Sequence, residues 1–274
     1  MILSYHPCFV GDENRLCAGR CPDRSDLAII RVATAVILPQ GCPRALYQMA
    51  RQNCSRVFPN YEARFNFPGK TGQIRLFKQT GLPHPFSVVF DHTAAYESCI
   101  ALDQLPDGLV FPLVFKYDWG GEGKTVYLIH NRRELKKQLR NAAVFERSGQ
   151  MGFLLQTYIP SAGRILRVVR IGDRSISYWR VARQPDRFPI NLTTGSTIDH
   201  DSDPELQQDA VAISDQIHSR TGINLAGFDF IFPANEQPAR PLLLEINYFF
   251  GRKGLGGSEA YYDLLIDQIR KWLQ

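Results

Sequence analysis

The 274-residue sequence is poor in lysine and contains no long apolar segment. Lysine occurs 8 times against 24 arginines, so most of the positive charge is carried by guanidinium groups. The net charge of +5 is mild and does not by itself indicate nucleic-acid or membrane binding. The longest apolar stretch, Leu27 to Leu38, is interrupted by Arg31 and is too short to span a bilayer. We therefore interpret it as a buried strand.

A targeting segment and a compositional bias are also lacking. The first residues carry no basic leader and too short an apolar run for a signal peptide, so we expect a cytoplasmic protein. With 44% hydrophobic and 22% charged residues, the chain has ordinary globular composition, which excludes disordered, collagen-like and coiled-coil classes. The length suits one large domain or two to three small ones.

The six cysteines lack the paired C-x2-C spacing of strong zinc signatures, although five lie in the first 54 residues. Cys8, Cys17 and Cys21 with a fourth ligand would make a zinc site conceivable, because thiolates bind zinc well. The spacing favours the alternative, which is free thiols that pack as small apolar side chains.

Hydrophobic spacing and turn residues predict alternating strands and helices. We predict strands at 32–38, 55–58, 109–116, 125–129, 153–156, 165–171, 175–183, 226–232 and 241–247. We predict helices at 43–53, 70–80, 93–104, 133–147, from Asp203 (as the cap) to Gly222, and from Ser258 to the C-terminus. Strand–helix units come early and antiparallel hairpins come late, which indicates a mixed α/β (α+β) fold in more than one layer.

A glycine-rich turn follows the strand that ends at Lys116. Gly120, Gly121 and Gly123 allow the backbone to approach a phosphate closely, and the lysine supplies a point charge for it. A strand follows the turn, so this is neither a Walker loop nor a dinucleotide-binding fingerprint. A hairpin that folds over phosphates fits the pattern, and an ordinary hairpin is the alternative.

Three oxygen-bearing side chains lie on two apolar strands near the C-terminus. Glu245 and Asn247 are two residues apart and share a face of one strand, and Asp229 would face them if the two strands pair. Such oxygen ligands suit Mg²⁺ and bound phosphates. The alternative is a buried hydrogen-bond network without a metal.

Seven arginines and no lysine lie between residues 164 and 187. Arg167 and Arg180 on the predicted hairpin would point toward a common ligand, and their forked guanidinium groups suit phosphate or carboxylate. We expect about half of the others to be on the surface. Nucleic acid could also use such a stripe, but no aromatic stacking motif accompanies it.

The order of these features resembles the ATP-grasp superfamily, in the branch that contains glutathione synthetase and the ribosomal-protein glutamate ligase. The resemblance runs from about Lys70 to the C-terminus. It includes Lys70 on a helix before the Gly81–Pro85 motif, Lys116 before the glycine-rich lid, and the Asp229, Glu245 and Asn247 trio. The stretch Gln156, Thr157, Tyr158 and Ile159, where a strand runs into a linker, resembles the adenine hinge.

The resemblance implies an ATP-grasp fold that holds the nucleotide between two α+β subdomains. The implied division is an N-terminal α/β lobe at 1–84, a lid subdomain at 85–156 and a C-terminal subdomain at 157–274. ATP and Mg²⁺ (or Mn²⁺) are the implied cofactors. Lys70, Lys116 and the glycines would cover the triphosphate, and Arg167 or Arg180 would stabilise the transferring phosphoryl group.

The implied activity is ATP-dependent ligation of a carboxylate to an amine or a thiol through an acylphosphate. The partners would be small molecules or peptides, without nucleic acid or membrane. A kinase on the same fold and a non-catalytic nucleotide-binding protein are the alternatives. Arg252 and Lys253, in the loop after Asn247, would receive an acidic substrate or simply be solvated.

Four features depart from the family pattern. Thr157 stands where relatives carry a hinge glutamate, and Ile165 stands where they carry a ribose-binding aspartate. Pro189 replaces an arginine in the segment 188–192, with Arg187 as a substitute. Residues 1–84 also lack an obvious full set of strands.

Overall fold

The computed structural model describes residues 1–99, 104–121, 123–184, 188, 196–233 and 239–274. The strands are Ile2–Ser4 (β1), Glu13–Asn14 (β2), Ala35–Ile37 (β3), Val57–Phe58 (β4), Ser87–Phe90 (β5), Leu113–Tyr117 (β6), Val126–Ile129 (β7), Phe153–Thr157 (β8), Arg164–Ile171 (β9), Arg174–Val181 (β10), Thr197–Asp199 (β11), Leu225–Ile231 (β12) and Leu242–Asn247 (β13). The helices are Arg24–Val32 (α1), Arg44–Asn53 (α2), Glu62–Asn66 (α3), Gly69–Thr80 (α4), Thr93–Cys99 (α5), Arg132–Glu146 (α6), Pro204–Thr221 (α7) and Ser258–Leu273 (α8).

The N-terminal sheet corrects two predictions. It contains four parallel strands in the order β2-β1-β3-β4, so the lobe is not short of strands. The stretch from Leu27 to Leu38 is not one strand, because its first half belongs to α1 and only 35–37 form β3. Asp23 caps α1 by accepting from the N–H of Asp26, whose side chain accepts from the N–H of Asp23. This reciprocal cap favours a helix over the apolar run that follows.

The middle sheet has the order β5-β8-β6-β7, with every pair antiparallel, and packs against α5 and α6. Stacked aromatic rings fill its core, with the ring centroids of Phe115 and Phe153 5.0 Å apart. The strand predicted from residue 109 begins only at Leu113, directly after Pro112, which has no N–H to donate to a ladder. The helix predicted to reach residue 104 is described to Cys99, and 100–103 lie outside the described residues.

The C-terminal sheet has the order β11-β10-β9-β12-β13, and α7 and α8 pack against it. Both predicted hairpins are confirmed, since β9 pairs with β10 and β12 pairs with β13 in antiparallel register. Pro204 begins α7 as predicted, but the Asp203 side chain makes no capping bond. It accepts a 2.6 Å hydrogen bond from Arg164 instead, so the predicted cap is wrong in its chemistry.

Helix α4 lies where the middle and C-terminal sheets meet, and contacts β5, β8 and β13. Buried Ile74 and Phe77 pack with residues of the C-terminal sheet, which confirms the predicted apolar side. Gly81 ends the helix in the left-handed region at φ 63°, also as predicted. The packing fixes Lys70, in the first turn of α4, relative to both sheets. No helix in the described ranges combines the length and apolar character needed to cross a membrane.

Candidate active site

A cleft of about 820 Å³ lies between the middle and C-terminal sheets. Apart from Gly120, it is lined by every residue that the sequence predicted for the site. These residues are Lys70, Lys116, Gly121, Gly123, Gln156, Thr157, Tyr158, Ile159, Arg167, Arg180, Asp229, Glu245 and Asn247. Residues up to 177 positions apart in the chain, from Lys70 to Asn247, therefore meet around one space.

Lys116 is a half-buried residue on β6, between Phe115 and Tyr117, whose side chains are buried on the opposite face. Burial lowers the pKa of Lys116 to about 8, with Lys70 lowering it further and Glu245 opposing the shift. Removal of an ammonium group from water is costly unless an anion replaces the lost hydration. The cleft therefore presents a cation that a bound anion would stabilise.

Lys70 contacts the lid loop directly. Its ammonium group donates to the carbonyl oxygens of Trp119 at 3.2 Å and Gly120 at 2.9 Å. Burial lowers its pKa, and Glu245 and Asp118 counteract the shift. The second lysine is thus held at the root of the glycine loop, close enough to Lys116 to lower the pKa of that residue.

The glycine loop is a tight turn that only glycine fits at one position. Gly120 has φ +77°, and a Cβ there would lie 2.5 Å from Cγ2 of Thr125. A Cβ at Gly121 would have no other heavy atom within 4 Å, so this glycine lies against open space. Gly123 also has positive φ, at 75°, and Glu122 lies outside the described residues.

The hinge segment continues β8 into the linker toward β9. Gln156 is buried, and its side-chain amide donates to Ser87 at 2.9 Å, so it braces the strand. The N–H of Thr157 donates to the carbonyl of Phe86. Tyr158 and Ile159 follow the last ladder pair and line the cleft with their partly exposed backbone and side chains. Their position suits contact with a flat base.

The oxygen-bearing trio of Asp229, Glu245 and Asn247 lies on neighbouring strands of the C-terminal sheet. Asp229 on β12 is opposite Glu245 on β13 and opposite Arg167 on β9. Both Asp229 oxygens accept hydrogen bonds from Arg167, at 2.7 and 2.6 Å, and one also accepts from the side-chain amide of Asn247 at 3.0 Å. A β-bulge follows Asp229 directly, which locally re-aims the strand.

Glu245 has a different environment from Asp229. Burial raises its pKa, the like charge of Asp229 raises it further, and Lys116 and Lys70 lower it. Within the described part of the chain, no hydrogen-bond donor reaches the Glu245 carboxylate. A carboxylate that is shielded from water and faces two ammonium groups can bind a cation at its oxygens.

The donor set fits a magnesium ion with one restriction. Glu245 offers two carboxylate oxygens, and Asn247, whose NH₂ faces Asp229, has its amide oxygen for another ligand. Asp229 already accepts three hydrogen bonds, so it can contribute at most about one lone-pair position. Oxygen donors of this kind are those that Mg²⁺ and Mn²⁺ accept.

Arg167 and Arg180 both face the trio, but in different ways. The fork of Arg167 is engaged by Asp229, which raises the pKa of Arg167 although burial opposes this. Arg180 lies 3.8 Å from one Asp229 oxygen, and burial lowers its pKa. Both residues line the cleft, where Nε and one Nη of Arg167 are already occupied by Asp229.

The remaining arginines of the run confirm the expectation of a divided set. Arg174 and Arg183 are exposed, whereas Arg164 and Arg170 pair with Asp203 and Asp215. Arg187 and Pro189 lie outside the described residues. Thr157 and Ile165, the other departures from the family pattern, both line the cleft.

Two positioning residues were missed by the sequence analysis. Asp118, directly after β6, accepts a 2.6 Å hydrogen bond from the N–H of Thr71, so the middle sheet caps α4. Gln73 on α4 both donates to and accepts from the backbone of Ile246, at 2.9 and 2.8 Å. Both contacts join residues far apart in sequence, and no local pattern signals them.

Arg252 and Lys253, the two basic residues considered for substrate binding in the loop after Asn247, have different surroundings. Lys253 lines the cleft and donates to the carbonyl of Ser196 at 3.2 Å. Arg252 stacks on the ring of Tyr262, with 4.4 Å from its guanidinium carbon to the ring centroid, and does not line the cleft.

The zinc alternative finds no support in the described residues. Cys8, Cys17, Cys21, Cys42 and Cys54 are free thiols, and three of them are buried. Across the described ranges, no three His, Cys, Asp or Glu side chains are grouped so that they could hold a metal ion.

Comparisons with known proteins agree with this geometry. The RimK-like ATP-grasp domain model matches residues 69–268. The glutamate–LysW ligase ArgX of Sulfurisphaera tokodaii is 26% identical over 195 residues, which are 70% of this chain and 67% of that protein.

Two solved structures have the same fold. A RimK-domain ATP-grasp protein from Sphaerobacter thermophilus has a TM-score of 0.62 at 15% identity, with 97% of this chain and 98% of that chain covered. The N5-carboxyaminoimidazole synthetase of Staphylococcus aureus, which was crystallised with ADP, has a TM-score of 0.63 at 12% identity. That match covers 92% of this chain and 65% of the synthetase, so this chain spans about two thirds of its length. The expected mixed α/β ATP-grasp fold is confirmed, and the chain belongs to the RimK-like ATP-grasp family.

Proposed function

We propose that this ATP-dependent ligase joins a carboxylate to an amine through an acylphosphate and releases ADP and phosphate. The observation that carries the proposal is the convergence of Lys70, Lys116 and Glu245 on one cleft. The charge of Glu245 opposes the lowering of both lysine pKa values by burial, so the three groups lie close enough to interact. The similarity to a protein named as a glutamate–LysW ligase supports an amine rather than a thiol as the nucleophile.

The nucleotide would lie along the cleft from the hinge to the oxygen-bearing trio of Asp229, Glu245 and Asn247. Tyr158 and Ile159 would contact the adenine. Because Thr157 has no carboxylate, the adenine amino group would donate to backbone carbonyls instead. Lys116 and Lys70 would neutralise phosphate oxygens, and Gly121 would allow the lid backbone to approach them. Occupation by phosphate would replace the bonds that Lys70 now makes to the lid carbonyls.

Glu245, Asn247 and one oxygen position of Asp229 would hold the divalent cation. When bound, Mg²⁺ would neutralise charge on the β- and γ-phosphates. Arg167 would keep Asp229 oriented and charged for this purpose, as a positioning residue. Arg180 would contact the transferring phosphoryl group.

The reaction needs no side-chain nucleophile. A substrate carboxylate oxygen attacks the γ-phosphorus, the bond from that phosphorus to the β–γ bridging oxygen breaks, and ADP leaves. The amine then attacks the acyl carbon, the bond from that carbon to the phosphate oxygen breaks, phosphate leaves, and the nitrogen loses a proton. The protein supplies position, charge and exclusion of water, which otherwise hydrolyses the acylphosphate.

ADP release with a panel of amino acids, short peptides and polyamines tests the activity. Hydroxylamine in place of the amine is expected to give a hydroxamate that requires both ATP and the acid. Glu245→Gln should abolish the product, and Glu97→Gln, on the exposed surface of α5, should not. A stable phosphoester instead of a hydroxamate would support the kinase alternative and contradict the ligase. Nucleotide binding with no turnover on any substrate would favour a non-catalytic protein.

A further inference from the structure

A second cavity of about 470 Å³ lies between the N-terminal lobe and the end of β13. Four aromatic side chains line it, namely those of Phe65, Phe67, Tyr248 and Phe249, together with Arg64. Its lining contains one cationic side chain and no carboxylate. This combination is typical of a site for an anion with an apolar body.

The Arg64 guanidinium is held in place by rings. Its central carbon lies 5.0 Å from the Tyr61 centroid, 4.8 Å from that of Phe65 and 5.0 Å from that of Phe249. These cation–π contacts surround the guanidinium group with rings and do not use its N–H groups as hydrogen-bond donors. The side chain is therefore oriented by packing before any ligand binds.

The N–H groups of Arg64 have few hydrogen-bond acceptors within the described part of the chain. Its single hydrogen bond within the described part of the chain goes to the carbonyl of Cys42, and at 3.5 Å it is long. No carboxylate of the described ranges forms an ion pair with it. Arg164, Arg167 and Arg170, by contrast, each have an aspartate partner. A partly buried arginine without a carboxylate partner can bind the carboxylate of a ligand through two N–H groups.

The cavity adjoins the proposed nucleotide cleft. Asn247 and Phe249 line both spaces, and Gly69, which lines the second cavity, precedes Lys70 of the first. Gln73 fixes this wall through its two bonds to Ile246. A ligand in the second cavity would therefore lie next to the proposed metal ligand Asn247.

We propose that this cavity binds one of the two organic substrates, and that it selects a carboxylate carried on an apolar or aromatic body. Arg64 pairs with the carboxylate, and Phe65, Phe67 and Phe249 pack against the body. The assignment of this ligand as a substrate rests on the proposed ligase function. Its binding does not, because Arg64, Phe65 and Phe67 line this cavity and not the proposed nucleotide cleft.

Phenylacetate and the neutral 2-phenylethanol are matched probes for this site, measured by calorimetry without nucleotide. Wild-type protein is expected to bind phenylacetate at least about tenfold more tightly than 2-phenylethanol, because only the acid can pair with Arg64. Arg64→Met keeps much of the side-chain volume and should remove that preference. Arg51→Met, an exposed arginine on α2, should leave it unchanged. Equal binding of the two probes, or an unchanged preference in Arg64→Met, would overturn the proposal.

Phe249→Ala provides a variant with little risk to folding, because that side chain is 61% exposed. It should weaken the binding of both probes, since it removes a wall of the cavity that either probe would contact. No effect of Phe249→Ala on either probe would also overturn the proposal. If Arg64→Met fails to fold, the wild-type preference and the Phe249→Ala result still decide the question.

The cavity and the ligase function fail in distinguishable ways. Arg64→Met should retain magnesium–nucleotide affinity, and Glu245→Gln should retain phenylacetate binding. Acid-dependent ADP release with an unchanged KM for the acid in Arg64→Met would contradict the substrate site at Arg64 and still support the ligase function. Arg64-dependent phenylacetate binding without any acid-dependent ADP release would support the binding site and contradict the ligase function.

Discussion

Arg167 holds Asp229 through two hydrogen bonds of 2.7 and 2.6 Å, and both residues are only 6% exposed. The pair joins the central strands β9 and β12 of the C-terminal sheet at directly opposite positions. Because Nε and one Nη of Arg167 donate to Asp229, we propose that Arg167 orients Asp229 and that Arg180 contacts the phosphoryl group.

Replacement of Arg167 by Met should destabilise the protein strongly. The change leaves a buried aspartate charge without its partner, which typically costs about 3–5 kcal/mol. Urea unfolding measures the loss, and Arg174→Met, an exposed arginine of the same hairpin, is the matched control. The double variant Arg167→Met, Asp229→Asn should recover part of the stability. A single variant within about 1 kcal/mol of wild type would contradict a buried, energetically coupled pair.

The affinity for nucleotide without metal should fall between pH 7 and pH 9. Burial lowers the pKa of Lys116 to about 8, so the side chain is mainly charged below that pH and mainly neutral above it. Only the charged form attracts phosphate, and bound phosphate in turn favours the proton. We expect a decrease in ADP affinity of up to roughly tenfold, measured by calorimetry in the presence of a chelator.

Two variants test the origin of this pH dependence. Lys116→Arg should retain its affinity at pH 9, because guanidinium stays charged there. Lys271→Arg, at an exposed ion pair on α8, should behave as wild type. A flat pH profile for the wild-type protein would show that Lys116 does not contact the phosphates.

Alanine at Gly120 should disturb the lid much more than alanine at Gly121. The first position combines φ +77° with a Cβ clash at 2.5 Å from Thr125, whereas the second has open space. We expect Gly120→Ala to cost about 1–3 kcal/mol in local strain and to lower turnover by more than about tenfold. Steady-state kinetics of the two variants measures the difference. Equal activity of both would mean that the turn geometry of the loop is not needed.

The parts of the fold that the sequence predicts are those with local signals. The β12–β13 hairpin follows from apolar alternation, and α4 follows from helical spacing that ends at Gly81. Strands β1 and β2 have only three and two residues, and β1 pairs in parallel with β2 and with the more distant β3, so neither strand carries a local signature. Parallel pairing depends on tertiary context that the sequence pattern does not contain.

The candidate site also has parts that the sequence predicts and parts that it does not. Glu245 and Asn247 share a strand face by a spacing of two, so their convergence is predictable. The pairing of Asp229 with Arg167 depends on the strand order β9-β12-β13, which spacing does not specify. No sequence pattern indicates a binding role for Arg64, because the rings that surround it come from α3 and from the distant loop after β13.

The most direct test of the central claim is the affinity for a non-hydrolysable ATP analogue, measured by calorimetry with and without Mg²⁺. Wild-type protein should bind one analogue per chain, and more tightly with Mg²⁺ than without it. Glu245→Gln should weaken the binding with Mg²⁺ by more than about tenfold, and Glu97→Gln should have no effect. An affinity that is the same with and without Mg²⁺, and the same in Glu245→Gln, would contradict a magnesium–triphosphate site at Glu245, Lys70 and Lys116.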